Sequence, residues 1–308
     1  MTFGHWAVAV GGGLLLLSSC ARKGTRGDSR DPEHAGPIYS TDLDDCDFTG
    51  STEYPELRET GELLEDLFRN FDTPLCRADV VASLESRALE FDLSATYEQR
   101  SIALTPLYAE DQLVTPPPDV DPESQVGVML VGASTHDVNE HLETALDPNQ
   151  VCLQEPAIVY YGRSFVSDDV CFSNGGCSEL RTSAEVRYDN LLAGFWYDEF
   201  VDYGVISMPS GRHAIVSRTW IEAVAVAHAG QGEYRQRYGL DIWYEDPADP
   251  GATVWLAARW SELVIPSLGE DQMGRLLLDG LADRMSSTDD FVDGVECRND
   301  RDFPYDRQ

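Results

Sequence analysis

The apolar residues of this chain change period partway along it. Before Gly176 they fall in short runs rich in branched and aromatic side chains, at residues 102–108, 126–131 and 157–161, each bounded by Pro, Gly or Asp. Runs of that kind suit a pleated strand. Beyond Gly176 they recur at spacings of three and four over residues 188–203, 213–229, 252–265 and 271–285, the repeat of one helical face. Strands first and helices second is an α+β order. Two periodic stretches open the folded part: residues 61–71, of either type, and 77–91, where Val80, Leu84, Ala88 and Phe91 share a helical face. Residues 115–122 hold four prolines, which excludes regular structure and marks a surface loop or a boundary between lobes. Ser134 with Asp137 carries the signature of a capping box for a short helix ending at Leu146. The expected architecture is a mixed α/β N-terminal region, residues 46–156, followed by a mainly helical region, residues 157–308.

Charge narrows the functions. The 308 residues carry 55 acidic and 22 basic side chains, a net charge of -33. Phosphate binding draws on clustered Lys and Arg, so no nucleic-acid partner is expected. Lys23 is the only lysine. P-loop phosphate transfer, protein-kinase chemistry and pyridoxal Schiff bases each need a lysine within the fold, and all three are excluded. A Gly-x-Ser-x-Gly elbow is absent, which removes the α/β-hydrolases.

Residues 1–19 contain no formal charge, and their apolar run ends in Leu17-Ser18-Ser19-Cys20. This resembles the lipobox of bacterial lipoproteins. The resemblance implies a signal peptide over residues 1–19, acylation of Cys20 with chains such as palmitate, and attachment to a membrane through that lipid. The run is too short to span a bilayer. Ala21 after the cysteine, in place of Asp, implies the outer membrane of a bacterial envelope, on its periplasmic or surface face. Residues 20–45 are rich in Gly, Asp, Arg, Pro and Ser and read as a tether, reaching roughly 25 to 30 Å as flexible coil. Cys46, Cys76, Cys152, Cys171, Cys177 and Cys297 then remain, an even number that implies disulfides in an oxidising compartment. Cys171 and Cys177 bracket Phe172-Ser173-Asn174-Gly175-Gly176, whose glycines let the chain reverse, so these two are expected to pair. The other pairings stay open. No Cys-x-x-Cys pair points to zinc.

Leu191, Phe195, Asp198 and Asp202 lie on one stripe of the helix expected over residues 188–203. Glu222 is the only charged residue between Arg218 and Glu233, in an apolar run where a carboxylate must be paired, protonated or bound to a cation. The pattern resembles the gluzincin metallopeptidases, which carry His-Glu-x-x-His on one helix and a third ligand, Glu, on the next. Asp198 and Asp202 stand at the histidine positions, Glu199 at the general base and Glu222 at the third ligand. Ala257-Ala258-Arg259-Trp260-Ser261-Glu262-Leu263 and Gly269 follow as the family's later helices would. With both histidines replaced, such a site offers only oxygen, which favours Ca, Mg or Mn over Zn. The resemblance therefore implies a peptidase-like scaffold serving as a non-catalytic binding or structural module, with no cofactor and with an unknown protein or glycan partner. The alternative is a metal-dependent hydrolase with Glu199 as base. An ion pair from Glu222 to Arg218, one helical turn away, accounts for Glu222 equally well.

Overall fold

The stretch Gly-Phe-Trp-Tyr-Asp-Glu-Phe-Val-Asp-Tyr-Gly-Val-Ile-Ser, residues 194–207, is a strand. Eight of its fourteen side chains are branched or aromatic, and these pack better on a pleated surface than along a helix. The chain is described by a computed structural model over residues 59–108, 112–147, 150–189, 193–208, 210–228, 232–265 and 268–295. All of these belong to the compact unit Asp42–Gln308. The lipobox and the tether lie outside the described residues, as do Cys46, Cys297 and the side chain of Cys76.

Two helices come first, α1 (Thr60–Arg69) and α2 (Pro74–Ala88). A short strand β1 (Ser101–Leu104) leads to β2 (Val126–Ser134), α3 (Val138–Leu146), β3 (Ile158–Phe165) and α4 (Asp169–Ser173). Five strands follow, β4 (Glu179–Asp189), β5 (Gly194–Ser207), β6 (His213–Ile221), β7 (Ala225–Val226) and β8 (Glu233–Glu245), then β9 (Thr253–Val264) and the long helix α5 (Glu270–Val292). The nine strands described form one antiparallel sheet in the order β1-β2-β9-β8-β6-β5-β4-β3, with β7 added to β8. Thus β2, from the part expected as a separate N-terminal region, pairs with β9 near the other end of the chain.

The mostly helical C-terminal half is therefore corrected. Of the four late helices expected there, the first three are β5, β6 and β9, and only the fourth lies within a helix, α5. Both faces of the sheet are covered, and β9 is buried at ten consecutive residues. A strand covered on both faces shows no clean alternation of apolar and polar residues, so its period is hidden.

One face lies under α1 and α2. Leu63, Leu64, Leu67, Phe68, Val80 and Leu84 pack there against Leu240, Ile242, Tyr244, Leu256 and Trp260, the last held by its indole N–H donating to Thr105 O at 2.9 Å. The other face lies under α3 and α5, where Leu281 joins Ile215, Trp243, Trp255 and Ala257. Asp137 caps α3, accepting from Asn139 N at 2.7 Å and Glu140 N at 3.0 Å, while Glu140 accepts from Asp137 N. Ser134, expected in that box, instead donates to Asp289 of α5 at 2.6 Å. Cys171 and Cys177 are joined across the turn, where Gly175 takes φ of +69°, and Cys152 is disulfide-bonded as well.

Candidate functional site

On a helix Asp198 and Asp202 would be neighbours. On β5 they are four residues apart on an extended chain, about 13 Å at 3.3 Å per residue, and Glu199 points to the opposite face. Asp202 is buried and taken by two arginines, accepting from Arg181 Nη2 at 2.8 Å and from Arg218 Nε and Nη2 at 3.0 Å. Asp198 is exposed, and Glu222 is exposed in the bend after β6. Among the described residues no group of three or more His, Cys, Asp or Glu is placed to hold a metal ion. The gluzincin resemblance is overturned by this geometry, because its helix does not exist and its carboxylates do not converge.

Glu199 leads to a different place. Its carboxylate accepts from Tyr161 Oη at 2.7 Å and lies 3.1 Å from Arg237 Nε. Burial first, and then the charge of Glu199, push the Tyr161 phenol well above its ordinary range, so Tyr161 stays a donor. Arg237 in turn donates to Tyr234 Oη at 3.1 Å, and its guanidinium lies over the rings of Tyr197 and Tyr234. Four residues of β8 further on, fully buried Asp241 accepts from Arg259 Nη2 at 2.9 Å, from Arg284 Nη1 at 2.8 and 2.9 Å, and from the Trp255 indole at 3.2 Å. Burial pushes its carboxyl up, but the two guanidiniums outweigh burial and hold it below the ordinary range. Gly239 makes this possible, since a Cβ there would stand 2.7 Å from Arg259 Nη1.

Between the sheet and α5 these groups enclose a cavity of about 30 Å³, with Arg237, Arg259 and Ser261 on the sheet and Leu277, Gly280 and Arg284 on the helix. That volume holds one or two waters. Glu155, in the link before β3, forms another wall. A Cβ on Gly280 would stand 2.5 Å from Glu155 Oε2. Burial, foremost, raises the Glu155 carboxyl above its ordinary range although Arg237, Arg259 and Arg284 all oppose it. Asp241 and Glu199 pair with the three guanidiniums, and Glu155 is the third carboxyl group beside them. Among the described residues no histidine lines the cavity, and the Ser261 hydroxyl in its wall is 3.2 Å from Tyr234 Oη.

Sequence reasoning missed Arg237, Arg259, Arg284 and Glu155. The signal for Arg259 was present: a single cation inside Val254-Trp255-Leu256-Ala257-Ala258-Arg259-Trp260, the same anomaly that marks Glu222. Among the aromatic residues, Tyr161, Tyr197, Tyr203, Trp220 and Trp243 are buried, while Tyr160 is 43% exposed, its ring tilted against that of Trp196 with centroids 5.5 Å apart. His141 is buried in α3 beside Trp243 and Trp255, with no hydrogen-bond partner on either ring nitrogen among the described residues. Burial, then nearby His136, lower its pKa to about 4.

No protein-family model matches the chain, and no curated protein is similar to it. Among solved structures, the chain is similar to the STAR-related lipid transfer protein of Xanthomonas axonopodis, at 8% identity and a TM-score of 0.39, over 55% of this chain and 86% of that one. It is also similar to the human StarD13 lipid transfer and protein localization domain (11%, TM-score 0.32, 53% and 77%) and to the Zhui aromatase/cyclase of a Streptomyces species (12%, TM-score 0.33, 55% and 92%). Likenesses this distant carry no argument about what this chain does. No helix among the described residues is long and apolar enough to cross a membrane.

Proposed function

We propose that this protein is a non-catalytic binding module whose crevice between the sheet and α5 receives a carboxylate-bearing monoanion. What supports the reading above all is the convergence of Arg237, Arg259 and Arg284 on one cavity with, among the described residues, only Asp241 and Glu199 in ion pairs with them. Guanidiniums suit this task because they stay charged when buried and present forked donors to a carboxylate. Leu276, Leu277 and Leu281 of α5 flank the charged floor, so an apolar tail on the anion has a surface to lie on. A larger ligand requires α5 or Glu155 to move, since the cavity itself admits little more than the carboxyl group.

Calorimetric titration of the purified protein with monocarboxylates from acetate to octanoate tests this, with the matching alcohols as controls. Binding is expected for the acids alone and is expected to weaken at least ten-fold in Arg259→Met. Equal binding of acid and alcohol, or no loss in the variant, overturns it. We also propose an oxidising compartment, a proposal supported by the Cys171–Cys177 disulfide; finding those thiols free in protein taken from its native cells overturns it.

A further inference from the structure

We infer that the Glu155 side chain is a built-in stand-in for the ligand, occupying the anion site in the empty protein and leaving it when an external carboxylate enters. The inference rests on the anion-receptor reading and adds the competitor. Among the described residues, Glu155 is the one carboxyl that lines the cavity beside Arg237, Arg259 and Arg284, and it enters from a link, not from the sheet. Its attachment differs from that of the two other acids. Asp241 and Glu199 are each held by hydrogen bonds or an ion pair of 2.7 to 3.2 Å, whereas Glu155 makes no side-chain hydrogen bond or ion pair among the described residues. It is held by the field of the arginines and by the space left at Gly280.

Its backbone, by contrast, is anchored. Glu155 O accepts from Ile158 N at 2.9 Å, and the preceding Leu153 O accepts from Thr288 Oγ1 of α5 at 3.4 Å. The side chain can therefore rotate out while the link keeps its place. A half-buried carboxyl without a direct partner is the most readily displaced of the three. An incoming carboxylate that takes hydrogen bonds from Arg237 or Arg259 meets the guanidiniums with better geometry.

Two variants test this, Glu155→Ala, which vacates the site, and Glu155→Gln, which keeps the shape and removes the charge. Thermal unfolding and calorimetry are run on each and on the parent with added propanoate, with propanol and chloride at equal concentration as controls. Propanoate is expected to bind Glu155→Ala at least ten-fold tighter than the parent and to raise its melting temperature dose-dependently, with Glu155→Gln between the two. If parent and both variants bind propanoate equally, the stand-in role is overturned while the receptor reading survives. If propanoate stabilises Glu155→Ala alone and no longer monocarboxylate binds the parent, Glu155 is a stand-in but the receptor reading falls. If propanoate acts on none of the three, both are overturned.

Discussion

Leu240 and Asp241 are adjacent on β8, both with 0% exposure, and they lie in different media. Leu240 faces α1 and α2, where Phe68, Tyr238, Leu256 and Trp260 close an apolar core. Charged groups on that face, such as Arg77 with Glu179 and Arg218 with Asp72, stand where one partner reaches solvent. Asp241 faces α5 and meets two guanidiniums next to a cavity. Burial of area stabilises the first face, at roughly 1.5 to 3 kcal/mol per large aliphatic side chain. A buried ion cluster stabilises little relative to apolar packing of the same shape, because desolvation offsets the attraction. The contrast teaches that one sheet can keep its apolar packing on one side and a buried ion cluster on the other.

The comparison can be broken most directly at Asp241. Asp241→Asn leaves Arg259 and Arg284 buried without a counter-ion and is expected to cost about 3 to 5 kcal/mol in urea unfolding at neutral pH. Leu240→Ala, one residue away, is expected to cost about 2 to 5 kcal/mol through the cavity it leaves. The two should part in combination. Replacing Asp241, Arg259 and Arg284 together by Leu, Met and Leu is expected to regain most of the Asp241→Asn loss while removing carboxylate binding. A triple variant no more stable than the single one would mean that the charges hold the fold together, and the contrast between the faces would collapse.

Acid sharpens it further. His141, under the α5 side, has a pKa lowered to about 4, so between the ordinary histidine value near 6.5 and that figure the unfolded chain binds the proton that the folded chain refuses. Stability is therefore present above about pH 6.5 and falls by about 3 kcal/mol as pH drops to about 4. His141→Phe is expected to flatten that part of the profile, and an unchanged slope would assign the loss to other groups. Next, Tyr161→Phe removes the donor to Glu199 and is expected to cost about 1.5 kcal/mol, measured as a shift in urea midpoint. The smallest effect belongs outside both faces: Asp137→Ala removes the cap of α3 and should cost about 1 kcal/mol without altering propanoate binding.

Local chemistry was legible where neighbours in sequence act on one another. The helix at Val80, Leu84 and Ala88 and the Cys171–Cys177 turn each depend on residues within one or two turns of chain, and the short helix ending at Leu146 was legible too, although its capping box is Asp137 with Glu140 and not Ser134 with Asp137. The strands at residues 126–131 and 157–161 were legible for a similar reason, as short branched runs between breakers. β5, β6 and β9 were not. Asp198, Asp202 and Arg218 put charge on the α1 and α2 side of the sheet, while Glu199 and Arg259 put it on the α5 side, so polar residues fall out of step with period two. Aromatic and branched content was the better guide there than spacing.

The sequence by itself determined the chemical character of the buried cations. With Lys23 as the only lysine and outside the described residues, every buried cation of the described fold has to be an arginine or a histidine, and the three at the cavity are arginines, which hold their charge when desolvated. It also determined that acids would outnumber them. Only the tertiary structure decided which of the 55 acids meet which arginines: Glu155, Glu199, Arg237, Asp241, Arg259 and Arg284 come from a link, three strands and the last helix. Coulomb energy depends on distance in space and on local dielectric, and in this chain both are set by strand pairing between residues far apart in sequence.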